Sequence, residues 1–407
     1  MKRSNTFGLI TGLLLGAMIS TAPARAETEI TIPGWADFSG PYADVMPAWS
    51  GGRAAVLLWW NKTSGAAAGV KLNYKGFDAR YDPAQVASMW PGIRNDLKPI
   101  AMFGMGGADS AALQNRLPDD KVPMVSAVGG YGFTWAPNPW IFNLRPTLAH
   151  EAATFLSWYQ KNKKMTRPVK IGVISSDAAP AWVDTVNGIK SYAKNNAAIV
   201  ELVDVVWTTP QPTDLTTDVF ALVNKNVDLI IVMTNTAGSV ATKRALDSLS
   251  SKVPLLLGAH NGLSALAKAM GGLNLIEGCY ESAAMAPPVE NTPAFDFYKK
   301  LKAEYALKAS WESATILGIS QALYLTRILD ETIKQSGADK LTGAKLREVM
   351  VNYTVPAKDM LGFGADIKMT DQSSFPLVGL RGYIATVQGG AITVLDPSAP
   401  VPDIIKW

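Results

Sequence analysis

Short strand-like apolar runs and helical segments alternate along most of this chain of 407 residues. One such unit joins a strand pattern at 170–174 to a helix pattern at 181–195, and another joins 228–232 to 239–249. A chain with this alternation folds into a parallel sheet whose strands are connected by crossover helices. Similar units occur before and after the proline-rich segment 137–146, so the sequence predicts an α/β protein with two similar lobes.

The first 26 residues have the composition of a secretory signal. Lys2 and Arg3 precede an apolar stretch at 7–19, and Ala24 and Ala26 are small residues at the two positions that a signal peptidase reads. The stretch is shorter than the ~20 apolar residues of a membrane span. No cysteine near the cut could accept a lipid. We therefore predict cleavage after Ala26 and a mature chain that is free in a Gram-negative periplasm.

Composition excludes several partners and stabilising devices. Removal of Lys2, Arg3 and Arg25 from the 38 basic residues leaves 35, against 34 acidic residues, so the mature chain would be almost neutral. No basic patch or tail in the sequence argues for nucleic acid binding. The remaining length suits two domains. Cys279 is the single cysteine, which rules out an intrachain disulfide, and its apolar surroundings predict a buried thiol.

The sequence carries no clear motif for catalysis. The glycines at 104–107 follow a strand pattern, but Asp109 stands where a dinucleotide fingerprint needs its third glycine. There is no Gly-x-Ser-x-Gly elbow. Two histidines and one cysteine cannot form a zinc ligand cluster, whereas a carboxylate-only metal site stays open. We predict no catalytic residues, no cofactor and no resident metal.

Residues 30–85 form an ordered series of short signals: a strand, a turn at Asp37–Tyr42, an apolar helix, a second strand, and a helix start at Asp82-Pro83. This series resembles the opening of the periplasmic solute-binding proteins of ABC importers, of the branched-chain amino-acid-binding type. Three later segments are also similar to parts of that family, and these are 121–126, 140–147 and 227–249. The resemblance covers nearly the whole mature chain.

The resemblance implies two doubly wound parallel-sheet lobes joined by a three-segment hinge, the type I periplasmic binding fold. Lobe 1 would hold residues 27–147 with 283–372, and lobe 2 would hold 148–282 with 373–407. A small-molecule ligand would bind between the lobes at the carboxyl ends of the strands. A membrane permease would read the closed form. A ligand-sensing subunit of a receptor is the alternative, and a monomer is the default oligomeric state.

The predicted ligand contacts lie in loops at the ends of strands in both lobes. In lobe 1 they are Trp35, Tyr42, Gly107, Ala108, Asp109, Ser110, Val128, Gly130 and Tyr131, and in lobe 2 they are Trp182, Asn235, His260 and Asn261. The glycines would let backbone N–H groups approach an anion, although tight turns and helix caps are competing roles. The two asparagines would either contact the ligand or satisfy loop backbone. His150 is expected at the surface or the hinge.

The matched positions depart from the family pattern where an amino acid would be held. Amino-acid-binding members hold the ligand carboxylate with hydroxyl side chains, where this chain has Gly107 or Ala108 and Gly130. They pin the ammonium with an acidic residue in lobe 2, where this chain has His260 and Asn261. A buried ammonium without a counter-charge is costly. The predicted ligand is therefore an aromatic or short aliphatic carboxylate or an amide, with a branched-chain or other amino acid as the alternative.

Overall fold

The first half of the fold is a five-stranded parallel sheet. The computed structural model of the protein describes residues 27–127, 137–373 and 380–402, so the predicted signal segment lies outside the described residues. The strands are β1 (Thr28–Ala36), β2 (Val70–Asp78), β3 (Met102–Phe103), β4 (Met124–Ser126) and β5 (Ile141–Asn143). Their order, β2-β1-β3-β4-β5, with every pairing parallel, is a doubly wound order whose switch point lies between β1 and β3.

Helices connect these strands on both faces of the sheet, as the alternating sequence pattern predicts. They are α1 (Met46–Trp60), α2 (Ala66–Ala68), α3 (Pro83–Leu97), α4 (Gly107–Leu113) and α5 (Leu117–Asp120), with a π-helical turn at Asn61–Gly65. The start of α3 shows why local signals were informative. The Asp82 side chain accepts a hydrogen bond from the Ala84 N–H, and Pro83 occupies the first helical position, where its missing N–H costs nothing.

The second sheet begins after β5, where the chain crosses to the other lobe. Its parallel strands are β6 (Val169–Ser175), β7 (Val200–Trp207), β8 (Leu229–Met233), β9 (Leu255–Leu257) and β10 (Tyr280–Ala283). The accompanying helices are α6 (Leu148–Asn162), α7 (Pro180–Asn195), α8 (Thr216–Asn224), α9 (Thr236–Ser248) and α10 (Leu263–Met270). Cys279 is 2% exposed just before β10, which confirms the predicted buried thiol, and burial raises its pKa to about 12.

After β10 the chain returns to the first sheet as a helical layer. It comprises α11 (Pro293–Glu304), α12 (Ser313–Ser336) and α13 (Gly343–Asn352), followed by the short antiparallel pair β11 (Thr354–Val355) and β12 (Ile367–Lys368). Helix α12 is largely buried and packs along α1. Its Gln321 side chain donates to the carbonyl oxygens of Gly104 at 2.8 Å and Val125 at 2.7 Å, which fixes the carboxyl ends of β3 and β4.

A third crossing brings the chain back to the second sheet as an antiparallel hairpin. Strands β13 (Arg381–Gln388) and β14 (Ala391–Pro400) extend that sheet to seven strands in the order β14-β13-β10-β9-β8-β6-β7. The predicted turn at Gly389 and Gly390 is confirmed, with φ of 59° and 73°. A two-residue turn with positive φ at both positions favours glycine. The fold class is confirmed, while the residue boundaries given for the two lobes stay a prediction.

One apolar cluster continues from lobe to lobe. It joins Tyr42 and Met105 of the first lobe to Ala179 and Trp182 of the second, whereas two further clusters lie within single lobes. The lobes therefore pack against each other. Among the helices of the described ranges, none combines the length and apolarity of a membrane span.

Candidate functional site

The carboxyl ends of the two sheets face each other and meet across a closed cleft. The Trp182 Nε1–H donates to Tyr42 Oη at 3.0 Å, and both side chains are buried. Gly107 at the start of α4 faces Ala181 at the start of α7, so closely that a Cβ atom on Gly107 would lie 2.2 Å from the Ala181 Cβ. The absence of a side chain at Gly107 is what allows the two helix ends to touch.

Aromatic rings form half of the wall of this cleft. The remaining space is a cavity of ≈ 30 Å³, lined by Tyr42, Trp49, Tyr81, Met105, Gly106, Gly107, Leu148, Ala181, Trp182 and His260. The ring centroid of Tyr42 lies 5.0 Å from that of Tyr81, 6.2 Å from Trp182 and 6.1 Å from His260, all edge to face. Edge-to-face contacts of this kind are favourable aromatic geometry. The cavity has room for about two water molecules, so a larger molecule can enter only when the lobes open, and it is enclosed only if the lining side chains move.

The carboxylates near the cleft are engaged by backbone rather than pointing at the cavity. Asp37 accepts hydrogen bonds from the N–H groups of Gly40 at 2.6 Å and Tyr42 at 2.8 Å, which fixes the loop that carries Tyr42. Asp109 accepts from the N–H groups of Met105 at 2.6 Å and Gly106 at 2.8 Å, the capping role weighed above as its alternative. Burial raises the pKa of the Asp109 carboxyl to about 6. No acidic side chain occurs among the described residues that line the cavity.

Several buried polar atoms at these strand ends have no hydrogen-bond partner among the described residues. They are Trp35 Nε1 and Ser110 Oγ in the first lobe, and Thr234 Oγ1, Thr236 Oγ1 and both ring nitrogens of His260 in the second. Buried polar groups are nearly always paired, and an unpaired one costs about 1–3 kcal/mol. Both lobes therefore offer neutral donors and acceptors in this region.

The predicted asparagines are occupied by their own loops. Asn235 Oδ1 accepts from the Gly238 N–H at 3.2 Å and caps α9, while its Nδ2 donates to the Pro210 carbonyl at 2.7 Å. Asn261 Oδ1 accepts from the Gly258 N–H at 2.9 Å, and its Nδ2 donates to the Val232 carbonyl and to Ser239 Oγ. Two roles were considered for these asparagines, ligand contact and stabilisation of the loop backbone. The hydrogen bonds that they make here are those of the second role.

The other predicted positions divide into those at the cleft and those outside the described residues. Ala108 is 3% exposed at the start of α4 and brings only backbone and a methyl group. Val128, Gly130 and Tyr131 lie outside the described residues. His150 was expected at the surface or at the hinge, and the surface position is wrong. This residue is 5% exposed in the first turn of α6, and its Nδ1 pairs with Thr147 Oγ1 at 2.7 Å.

Tyr81 is the cleft residue that sequence reasoning missed most clearly. It follows β2 and precedes α3, and both Arg80 and Tyr81 have positive φ, at 52° and 56°. A bulky residue in the left-handed region is uncommon and often marks a functional loop. Its position in the sequence could have indicated this role, because Tyr81 follows the carboxyl end of β2, the strand that pairs with β1. Trp49, Met105 and Leu148 also line the cavity without having been singled out.

A buried ion pair ties two of the three interlobe crossings together. Arg145, on the first crossing, donates from Nε and Nη2 to the Glu151 carboxylate at 2.8 and 2.6 Å, with both side chains 3% exposed. The Ala284 N–H, on the second crossing, donates to Glu151 Oε1 at 2.7 Å. A two-point Arg–carboxylate pair has a fixed geometry. Glu151 is therefore the shared anchor of the hinge.

A second buried carboxylate links the lobes beside α12. Glu281 of β10 accepts hydrogen bonds from Ser313 Oγ at 2.7 Å, from the Leu263 N–H at 2.7 Å and from the Tyr383 hydroxyl. Burial raises the pKa of the Glu281 carboxyl. Within the described residues no group of three or more His, Cys, Asp and Glu side chains could hold a metal ion.

The buried imidazole of His260 predicts a pH-dependent loss of stability. Burial, followed by the nearby charge of Arg145, lowers the pKa of His260 from 6.5 to about 4. Because the unfolded chain binds a proton below pH 6.5 and the folded protein does not, stability is lost as pH falls from about 6.5 towards about 4. Across this window, we expect the free energy of unfolding of wild type to fall by about 3 kcal/mol more than that of a His260→Gln variant. Urea unfolding at a series of pH values measures the difference. The raised pKa values of Asp109 and Glu281 act in the opposite sense but are common to both proteins. Equal pH slopes for the two proteins would contradict this account of His260.

Comparison with known proteins agrees with this geometry. A family model described as "Periplasmic binding protein" matches residues 29–390. No curated protein sequence matches the chain. A branched chain amino acid ABC transporter structure from Thermus thermophilus with bound valine has a TM-score of 0.80 at 16% identity, covering 92% of this chain and 97% of that one. A fatty acid ABC transporter substrate-binding protein from Thermomonospora curvata has a TM-score of 0.77 at 17% identity, covering 91% and 92%.

A third similar structure is a solute-binding protein of an ABC transporter from R. palustris in complex with benzoate. Its TM-score is 0.74 at 14% identity, and the match covers 93% of this chain and 99% of that one. At these identities the structures show a shared fold, and the family model covers most of the sequence. The family predicted from the sequence is thereby confirmed: the chain belongs to the periplasmic binding proteins, with the type I fold of branched-chain amino acid ABC transporter substrate-binding proteins.

Proposed function

We propose that this chain is the periplasmic solute-binding component of an ABC importer and that it captures a small organic ligand without an ammonium group. The preferred class is an aromatic carboxylate or amide, with short aliphatic carboxylates next. Membership of the periplasmic binding proteins supports capture of a solute in the periplasm. We also propose that the protein delivers the ligand to a membrane permease, that it catalyses no reaction, and that it is a monomer.

The observation that carries the proposal is a cleft walled by aromatic rings and free of acidic side chains among its described residues. Tyr42, Tyr81 and Trp182 would contact the faces and edges of a flat ligand as the lobes close. Ser110, Thr234 and neutral His260 would supply hydrogen bonds to a carboxylate or amide. A buried ammonium would find no counter-charge among these residues, and an unpaired buried charge is strongly unfavourable.

The similar structures show that proteins of this fold bind different classes of ligand, and they do not favour one class for this chain. The Thermus thermophilus protein is described with valine and the R. palustris protein with benzoate, so the fold accommodates both an amino acid and an aromatic acid. The choice for this chain therefore depends on its own cleft residues. The cavity of ≈ 30 Å³ is too small for either molecule, which supports entry through hinge opening and a shift of the side chains that line the cavity once the ligand is bound.

A thermal-shift screen tests the proposed ligand class. The mature protein, unfolded and refolded to remove bound ligand, would be screened against aromatic acids, aromatic amides, short aliphatic acids and branched-chain amino acids. A ligand at 100 times its Kd should stabilise the folded protein by about 2.7 kcal/mol. We expect aromatic acids or amides to raise the melting temperature and amino acids to leave it unchanged.

Two tryptophan variants provide the matched control for this screen. Trp182→Ala removes a ring from the cleft wall and its hydrogen bond to Tyr42, so the ligand-induced shift should disappear. Trp207→Ala removes a ring that is 42% exposed at the end of β7, and the shift should persist. The largest shift with a branched-chain amino acid would instead favour the amino-acid alternative.

A further inference from the structure

A second cavity in the described structure lies at the hinge rather than in the cleft. Its volume is ≈ 210 Å³, and its lining residues include none of those that line the cleft cavity. All three interlobe crossings contribute to its wall: Leu144 and Arg145 from the first, Ala284–Pro287 from the second, and Leu380 and Arg381 from the third. A molecule in this cavity would therefore contact every segment that moves when the lobes open.

The wall of the hinge cavity is mainly apolar. Its larger apolar side chains include Leu144, Met285, Leu317, Phe363, Ile367 and Leu380. An apolar cavity of ~150 Å³ in a protein is large enough to hold benzene. The hinge cavity, at ≈ 210 Å³, thus has room for a ring or short alkyl chain carrying a few further atoms.

One charged group in this wall has hydrogen-bonding capacity to spare. Arg145 uses Nε and Nη2 for Glu151, whereas among the described residues Nη1 has only the Met285 sulfur at 3.9 Å, a weak acceptor. Two neighbouring polar side chains are already engaged: Gln321 donates to two carbonyls, and Ser320 donates to the Ile316 carbonyl. One carboxylate oxygen of Asp366 accepts from the Ala357 N–H.

We propose that the hinge cavity is a second binding site, for a small monocarboxylate with an apolar body. The carboxylate would accept a charge-assisted hydrogen bond from Arg145 Nη1, and the apolar body would fill the space beside Met285 and Leu317. At the edge of the cavity the exposed Arg381 is offset by the exposed Asp366, so the preference for an anion depends on Arg145 Nη1. Because the site contacts all three crossings, its occupant and a cleft ligand alter each other's affinity by the same factor.

Octanoate is the probe for this site, and octylamine tests the requirement for negative charge. Isothermal titration would compare wild type with Gly364→Trp, which fills the cavity. Gly364 lines the cavity outside the left-handed region, and a Cβ there meets only Ile367 Cδ1, at 3.9 Å. Gly92→Trp is the matched control, since Gly92 is exposed on α3 and a Cβ there meets nothing within 4 Å. We expect octanoate to bind wild type and Gly92→Trp, to bind Gly364→Trp at least about ten-fold more weakly, and octylamine not to bind.

The Trp182→Ala variant separates this site from the proposed cleft site. Octanoate binding should survive Trp182→Ala, whereas loss of octanoate binding in that variant would place the probe in the cleft and overturn the inference. Absence of octanoate binding to wild type, or equal binding by Gly364→Trp, would also overturn it. Diffraction from crystals containing 8-bromooctanoate gives a test independent of the variants: bromine beside Met285 and Leu317 supports the site, and bromine only in the cleft refutes it.

Discussion

Replacing Gly107 by alanine should hold the lobes apart and weaken ligand binding by about ten-fold or more. The new Cβ would lie 2.2 Å from the Ala181 Cβ and 3.3 Å from the Ala181 backbone. Favourable contacts between carbon atoms occur at about 3.5–4.0 Å, and both residues are held in helices, α4 and α7. The clash is relieved by separating the lobes, and a loss of about 1.4 kcal/mol in closure free energy already weakens binding ten-fold.

The Gly107→Ala prediction is checked with the ligand that the thermal-shift screen identifies. Titration calorimetry gives its affinity, and small-angle X-ray scattering gives the dimensions of the ligand-bound protein. Gly92→Ala is the control, because its side chain meets nothing within 4 Å. Adding Ala181→Gly to Gly107→Ala removes the opposing Cβ and should restore much of the affinity. Wild-type affinity and dimensions for Gly107→Ala alone would show that closure does not depend on this contact.

Replacing Arg145 by methionine should lower the free energy of unfolding by about 3–5 kcal/mol. The substitution leaves the Glu151 carboxylate buried at the hinge without its positive partner, which is the costly way to break a buried pair. Urea unfolding measures the change. The double variant Arg145→Met with Glu151→Leu removes both charges, and we expect it to recover most of the loss.

A surface pair provides the comparison for Arg145→Met. Arg167 makes a similar two-point contact with Asp228, at 2.6 and 2.7 Å, but the arginine side chain is 53% exposed. Exposed pairs contribute about 0–1 kcal/mol, so Arg167→Met should have a small effect. An equal cost for Arg145→Met and Arg167→Met would mean that the hinge pair is no more than a surface contact in energetic terms.

The two sheets were predictable because their signals are local. The strand at 228–232 is an apolar run between turn residues, the helix start at Asp82-Pro83 has its own cap, and the turn at Gly389-Gly390 has the residues that its backbone conformation requires. Each signal involves residues within a few positions of one another. Together with the order of the elements, they were sufficient for the fold class and the family.

The closing contacts of the cleft were not predictable in the same way. Trp182 and Tyr42 are 140 residues apart, and their hydrogen bond exists only because two lobes meet. Tyr81 reaches the cavity because its backbone has a positive φ, and the neighbouring residues in the sequence do not predict that conformation. Asn235 and Asn261 follow strands as ligand residues often do, but nearby backbone groups use their side chains. A sequence pattern places residues at the edge of a sheet, while tertiary contacts decide what their side chains bind.

The most direct measurement of the proposed function is titration of one matched pair of ligands into the ligand-stripped protein. The pair is phenylacetate and phenylglycine, which differ by a single α-amino group. The cleft has aromatic walls and no acidic side chain among its described lining residues, so phenylacetate should bind at least about 100-fold more tightly. Phenylglycine binding as tightly as phenylacetate, or more tightly, would mean that an ammonium does find a partner in this cleft and would contradict the proposed ligand class.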